Sequence, residues 1–343
     1  MRNLIDEPLK LGILGCGGFM VRRVLPILRE IDTVRVVCIQ NRNQNKANEI
    51  ARRFGIPRAV SSREALLADS EVEAIHITTP NFLHEEDALA CAEAGKPTLC
   101  EKPLSTSLKS VNRMIEAFER KSIPFFVAHQ MRFKPAFQKV KELISNGEFG
   151  KLLQIRAYYY SRTIPEGNWR VESGKGGGAL QEIGVHLIDL IHYISGEEII
   201  DVRALSTFGE VDRMTSVQGR LSGGALVSFE CAYERPYYNG LEVIGTKSRL
   251  VSCESLRQTL DPIESLSLVK ETGETLYFPL FATDMYVEEY KHLAKAIVHG
   301  IPSSIEAKIS RLNQQIVDAA YNSMIHPNDR MSIKCDRAFH SIP

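Results

Sequence analysis

The stretch from Leu9 to Arg42 constrains this chain more than any other, because it sets a glycine-rich turn between two apolar runs of strand length. Leu9-Lys10-Leu11-Gly12-Ile13-Leu14 reads as a buried strand, Gly15-Cys16-Gly17-Gly18 as a tight turn, and Phe19 as the opening of a helix. Val34-Arg35-Val36-Val37-Cys38-Ile39 follows at the distance that a right-handed βαβ crossover requires. Glycines serve such a turn physically: the first permits the tight bend, the second lets the backbone approach a pyrophosphate, and the amides at the helix start meet its negative charge. Gly15, Gly17, Gly18 and Phe19 are therefore the candidate pyrophosphate-binding residues. A plain strand-to-helix loop is the competing reading, and the flanking strand, helix and second strand favour the dinucleotide. The fingerprint is incomplete, since Met20 occupies the third glycine position and implies a looser contact between helix and strand. Pro26 falls inside the expected helix and predicts a kink or an early end near Leu25.

The tip of the second strand selects the cofactor. An acidic residue there accepts hydrogen bonds from a ribose 2′-hydroxyl and repels a 2′-phosphate. This chain has Gln40-Asn41-Arg42 instead, with a guanidinium able to pair with phosphate. NADP is thus favoured over NAD, with Asn41 and Arg42 as contacts; Arg42 as a solvated loop charge is the alternative.

The whole chain bounds the remaining possibilities. Its 343 residues, 44% hydrophobic and 24% charged, suffice for two domains. Lys plus Arg equals Asp plus Glu at 42 each, and no basic stripe is visible, so the electrostatic footprint of a nucleic-acid binder is missing. The seven cysteines, at 16, 38, 91, 100, 231, 253 and 335, are scattered without a C-x-x-C pair. That usage suits small buried hydrophobes in a reducing cytosol. Residues Met1 to Pro8 lack the apolar core of a signal peptide, and no apolar run approaches bilayer length, so a cytoplasmic protein without membrane contact is expected.

Along the first 128 residues, strands alternate with helices: helix Gln44 to Phe54, strand Ala74 to Thr78, helix from His84, strand Thr98-Leu99-Cys100, helix Ser107 to Lys121 and strand Phe125 to Ala128. Such alternation predicts a Rossmann, doubly wound parallel sheet with ligands at the carboxyl ends of its strands. Thr79-Pro80-Asn81 and Glu101-Lys102-Pro103 sit at such ends. Hydride transfer at a secondary alcohol needs a group that takes or supplies the hydroxyl proton, and a lysine desolvated beside a cofactor can have its pKa lowered for that task. Lys102 is the candidate by position, against a plain surface lysine by residue type.

From residue 129 to 343 the alternation stops and a second, α+β domain with an open mixed or antiparallel sheet is expected. Helix Pro135 to Asn146 precedes strand candidates at Leu152 to Tyr160, Asp201 to Phe208, Ser216 to Leu221, Ala225 to Tyr233 and Leu241 to Gly245. Between the first two lies Gly176-Gly177-Gly178-Ala179-Leu180-Gln181-Glu182-Ile183-Gly184-Val185-His186, continuing to Asp189. Helical spacing sets Glu182, His186 and Asp189 in one column, where a carboxylate one turn away can orient the imidazole as a proton donor. A solvated helix face is the bland reading. A metal site lacks a second ligand cluster and is not assigned. A P-loop at Ser173-Gly174-Lys175-Gly176 is discarded, because glycine follows Lys175 where a magnesium-binding hydroxyl is needed.

Taken together, Gly15-Cys16-Gly17-Gly18, Thr79-Pro80-Asn81 with His84, Gly95-Lys96-Pro97, Glu101-Lys102-Pro103, Arg132-Phe133 with Pro135, Trp169-Arg170 and Gly176-Gly177-Gly178-Ala179-Leu180 leading to His186 resemble the glucose-fructose oxidoreductase / inositol dehydrogenase / MocA family. Beyond about Gly245 the match is by pattern only, including a helix from Asp284 to His299. The resemblance implies an NAD(P)-dependent oxidoreductase acting on a sugar, sugar derivative or polyol, with homodimers or homotetramers built through the second sheet. It also implies a cis Lys102-Pro103 peptide, and Lys102 and His186 as the proton-transfer pair framing the substrate. Thr79, Pro80, Asn81, His84, Glu101, Lys102, Trp169 and Arg170 become cofactor contacts by the same resemblance. The family most often has aspartate four residues before the histidine, where this chain has Glu182; the extra methylene moves the carboxylate by roughly 1.5 Å. Similar folds include non-catalytic NADP-binding regulators, which form the rival class.

Overall fold

A computed structural model describes residues 7–233, 236–253, 265–280, 283–326 and 331–333. Among the described residues the chain divides into two units: residues up to Ala128 with Tyr286–Arg311, and His129–Met285 with the residues from Leu312 onward. Of the N-terminal stretch Met1 to Pro8 the first six residues lie outside the described residues, as do the Cys253 side chain and Cys335.

In the first unit, apolar runs become strands buried on both faces, as a parallel sheet covered by helices demands. The strands are β1 (Leu9–Leu14), β2 (Val34–Gln40), β3 (Arg58–Val60), β4 (Ala74–Ile77), β5 (Thr98–Cys100) and β6 (Phe125–Val127). They form one six-stranded parallel sheet in the order β3-β2-β1-β4-β5-β6. The order reverses between β1 and β4, and that switch point is where a doubly wound sheet opens a crevice. Helix Gln44–Phe54 is delimited locally: the Asn43 side chain accepts the Lys46 N–H at 3.1 Å, and Gly55 closes the helix at φ 67°. Residues of the C-terminal part complete the unit. Val127 N–H donates to Ile305 O at 2.9 Å and Ala307 N–H to Phe125 O at 2.9 Å, which covers the edge of β6.

Pro26 does not end its helix near Leu25; helical residues continue through Leu25–Leu28. The irregularity is absorbed one turn earlier, in a π turn over Met20–Val24 where Leu25 N–H bonds to Met20 O. Pro26 then stands in the first turn of the restarted helix, where its missing N–H costs nothing.

The second unit is built on a nine-stranded sheet. Its strands are β7 (Leu152–Tyr160), β8 (Ile199–Phe208), β9 (Asp212–Leu221), β10 (Leu226–Ala232), β11 (Tyr238–Gly245), β12 (Ser248–Cys253), β13 (Ser265–Lys270), β14 (Thr275–Pro279) and β15 (Met331–Ser332), in the order β14-β13-β12-β11-β7-β10-β9-β8-β15. β7 and β10 pair parallel and their neighbours antiparallel, so the sheet is mixed. One face packs Ile155, Ala157 and Phe229 against Leu187, Ile188 and Ile191 of the helix Val185–Ser195. On the sheet itself Tyr158 stacks on Tyr238 at 4.7 Å and Arg156 pairs with Glu242 at 3.1 Å. Leu205 and Tyr277 are 71% and 72% exposed. Cys16, Cys38, Cys91, Cys100 and Cys231 are buried free thiols. Among the described residues no helix is long and apolar enough to cross a membrane.

Candidate functional site

In the first unit the carboxyl ends of β2, β1, β4 and β5, which are neighbours in the sheet, carry Asn41-Arg42, Gly15 to Phe19, Thr79 to Asn81, and Glu101-Lys102. These residues thus lie at neighbouring strand ends of one sheet. Gly15 has φ 85°, and a Cβ there would lie 2.5 Å from Thr79 Cγ2 and 2.8 Å from Thr79 N, so only glycine fits. The turn is tied from both sides: Gly15 N–H donates to Gln40 Oε1 at 3.1 Å, and Asn41 Nδ2 donates to Cys16 O at 2.7 Å. A Cβ on Gly17 would meet only Gly15 O, at 3.5 Å. That opening beside the first amides of the helix fits a pyrophosphate approaching the backbone. Gln40, where an acid would mark NAD, turns inward and donates to Ser61 O at 2.8 Å, while Arg42 is exposed.

His84 takes a different place from the one expected of a cofactor contact. Its ring is 1% exposed, with Nδ1 3.0 Å from Pro103 O and Nε2 2.8 Å from Thr79 O. It holds the loop after β4 to the loop after β5, and so positions the half-buried Lys102, whose peptide to Pro103 is cis. Asn81 is 2% exposed. Phe19 is 36% exposed and meets Tyr286 edge-on at 5.8 Å.

The second unit holds Trp169, Arg170, Glu182, His186 and Asp189. The column expected of the last three is broken by a π turn over Leu180–Gly184, which alters the register of Glu182 ahead of the helix Val185–Ser195. Glu182 Oε2 accepts from Arg170 Nε at 3.1 Å, and the Arg170 guanidinium lies 4.2 Å from the Trp169 ring. Asp189 accepts from Arg132 Nε at 2.8 Å and Nη2 at 2.6 Å, and from Asn313 Nδ2 at 3.1 Å. Both carboxylates are thus engaged by arginines. His186 is buried, with its ring 6.3 Å from that of Tyr159.

Asp212 was invisible in the sequence, because the expected strand began only at Ser216. Its buried carboxylate accepts Leu180 N–H at 2.7 Å, Thr215 Oγ1 at 2.9 Å and Tyr321 Oη at 2.7 Å, anchoring the start of the segment that carries Glu182 and His186. Gly178 makes room for it: at φ 129°, a Cβ there would lie 2.2 Å from Asp212 Oδ1. Asp212→Ala strands these buried donors and is expected to cost about 2 to 4 kcal/mol in chemical denaturation. A loss under about 1 kcal/mol would remove the anchor role.

Comparison with known proteins agrees with this architecture. Residues 9–129 match the model of an oxidoreductase family with an NAD-binding Rossmann fold, and residues 137–251 match the GFO/IDH/MocA C-terminal domain. The chain is 28% identical over 344 residues to a myo-inositol 2-dehydrogenase of Thermotoga maritima, covering 96% of this chain and 99% of that protein. It is 27% identical over 321 residues to a D-xylose 1-dehydrogenase (NADP(+)) of Haloferax volcanii, covering 91% and 96%. A 3-ketoreductase from Actinomadura kijaniata, crystallised with NADP and TDP-benzene, shares the fold at a TM-score of 0.85 and 24% identity over 92% of this chain and 98% of that one. Two family models in sequence order, one on each half, leave one assignment: the chain belongs to the GFO/IDH/MocA family of oxidoreductases.

Proposed function

We propose that this protein is an NADP-preferring oxidoreductase that interconverts a secondary alcohol and a ketone on a sugar, sugar derivative or polyol. The observation that carries the reading is Lys102, which stands at the carboxyl end of β5 in the same parallel sheet as the open glycine turn. The dehydrogenases of myo-inositol and D-xylose among its relatives support the substrate class. When bound, the nicotinamide accepts or supplies the hydride. Gly15, Gly17, Gly18 and Phe19 would hold the pyrophosphate, with Thr79, Pro80, Asn81 and Glu101 along the strand ends; Trp169 and Arg170 are assigned to the cofactor by the family resemblance alone. Lys102 and His186 are the residues assigned to the hydroxyl proton. In oxidation a neutral amine takes it, and in reduction the ammonium returns it. Glu182, through its bond to Arg170, orients rather than transfers.

A panel of polyols, sugars, ketosugars and nucleotide-linked sugars, followed by NADPH and NADH absorbance, tests the reading. Cofactor binding without turnover on any member would favour the regulator instead, although retention of both Lys102 and His186 argues for chemistry. Arg42→Ala is expected to lower the preference for NADPH over NADH by about tenfold, the loss of one charge-assisted phosphate contact. A preference unchanged in direct binding titrations would remove the argument from Arg42. The exposed side chains of Leu205, Leu226, Tyr238 and Tyr277 on the second sheet support assembly of copies through that face, and five buried thiols suit a reducing cytoplasm.

A further inference from the structure

Strand β4, Ala74-Ile75-His76-Ile77, is apolar except for one imidazole, which is 1% exposed at the centre of the parallel sheet. A ring buried that deeply needs polar neighbours at its nitrogens. Tyr290 supplies one: its hydroxyl lies 2.7 Å from His76 Nδ1. Glu101 supplies the other, with Oε1 3.6 Å from His76 Nε2. A phenol donating to Nδ1 leaves the ring proton on Nε2, the nitrogen that faces Glu101. All three residues belong to the first unit, and Glu101 directly precedes Lys102.

A second carboxyl group, Glu289, is 2% exposed, and its Oε1 has no hydrogen-bond partner among the described residues. Burial, and then the charge of Glu101, push Glu289 well above the usual carboxylate range. Burial alone would raise Glu101 too, but its contact with the His76 ring and the charge of Lys102 bring it below its ordinary value. The other groups that feel Glu101 are the Cys100 thiol and the Tyr290 hydroxyl, both held neutral, chiefly by burial. The negative charge of the cluster therefore sits on Glu101.

We propose that His76, its tautomer set by Tyr290, is a positioning residue that fixes the Glu101 carboxylate beside Lys102 and thereby governs proton release from the Lys102 amine. The inference rests on the reading of Lys102 as the proton-transfer residue, and its test reads that amine directly. Trace acetylation with acetic anhydride across a pH series, with the Lys102 peptide quantified by mass spectrometry, gives the titration midpoint of the amine in the full chain without substrate. His76→Leu removes the group that fixes Glu101, the carboxylate is free to turn away from the amine, and the midpoint falls by about one pH unit or more as the adjacent anion is lost. His76→Gln, whose amide still donates toward Glu101, keeps the midpoint near that of the wild type. Tyr290→Phe lowers it by less than His76→Leu. A His76→Leu midpoint that coincides with the wild type overturns the proposal, as does an equal fall in His76→Gln. Should His76→Leu fail to fold, Tyr290→Phe decides alone, and an unmoved midpoint there overturns it. The reading of Lys102 itself fails separately, by full turnover in Lys102→Ala.

Discussion

Lys102→Ala is expected to lower kcat by roughly 10²- to 10⁴-fold on the substrate that the panel identifies, the usual contribution of one positioned acid or base. The Kd for NADPH should stay within about threefold, because removing one amine leaves the backbone amides that meet the pyrophosphate in place. Lys102 reaches its position through backbone geometry: β5 ends at Cys100, and His84 holds Pro103 O at 3.0 Å. Its neighbour Glu101 then provides an anion close by along the chain. The check is steady-state kinetics beside a cofactor titration. Equal loss of kcat and of cofactor affinity would make Lys102 a cofactor ligand rather than a proton-transfer group.

Arg132→Met is expected to cost about 3 to 5 kcal/mol of folding stability, since it leaves the Asp189 carboxylate charged and buried without its bidentate partner. Both side chains are nearly inaccessible, at 4% and 2% exposure. Arg132→Met with Asp189→Leu removes both charges and should recover most of the loss. Chemical denaturation of the two variants measures the difference, and a single variant within about 1 kcal/mol of wild type would contradict the assignment. The same cluster predicts how stability depends on pH. Burial would raise Asp189, but the charges of Arg132 and His129 and the hydrogen bonds from Arg132 and Asn313 outweigh it and hold the carboxyl at about 2. A carboxyl depressed on folding stabilises above its unfolded value. That contribution, roughly 2 kcal/mol, is lost as pH falls from about 4 toward about 2.

His192 acts at higher pH in the same direction. Its Nε2 accepts Ile199 N–H at 3.2 Å, so its proton is on Nδ1, which faces Asn313 Oδ1 at 3.1 Å. Burial pushes the ring down to about 4, and protonation between about 6.5 and about 4 therefore favours the unfolded chain. Stability should decline over that range as pH falls, and then decline again as Asp189 titrates.

Much of the fold was legible because its signals are local. Helix Gln44–Phe54 was read to both ends, since its Asn43 cap and Gly55 stop lie beside it in the chain. Strand Leu152–Tyr160 was read from its own apolar and aromatic content. The three-residue edge strand Arg58–Val60 and the hairpin of Ser265–Lys270 and Thr275–Pro279 were not, because short or half-exposed strands owe their form to a neighbour. Helix Ile309–Ile325 was passed over as well, and its residues divide between the units at Arg311 and Leu312.

By itself the sequence determined where backbone chemistry is special: the turn at Gly15 and the Glu101-Lys102-Pro103 loop, each of which depends on residues adjacent in the chain. Only the tertiary structure decided which charges meet. Glu182 and Asp189 share a short helical stretch, yet one pairs with Arg170 and the other with Arg132, 57 positions away. His76 finds Tyr290 across 214 positions, and Asp212 finds Tyr321 across 109. Hydrogen bonds and Coulomb attraction act over a few ångströms of space, and chain separation does not encode that distance until the strands and helices between have packed.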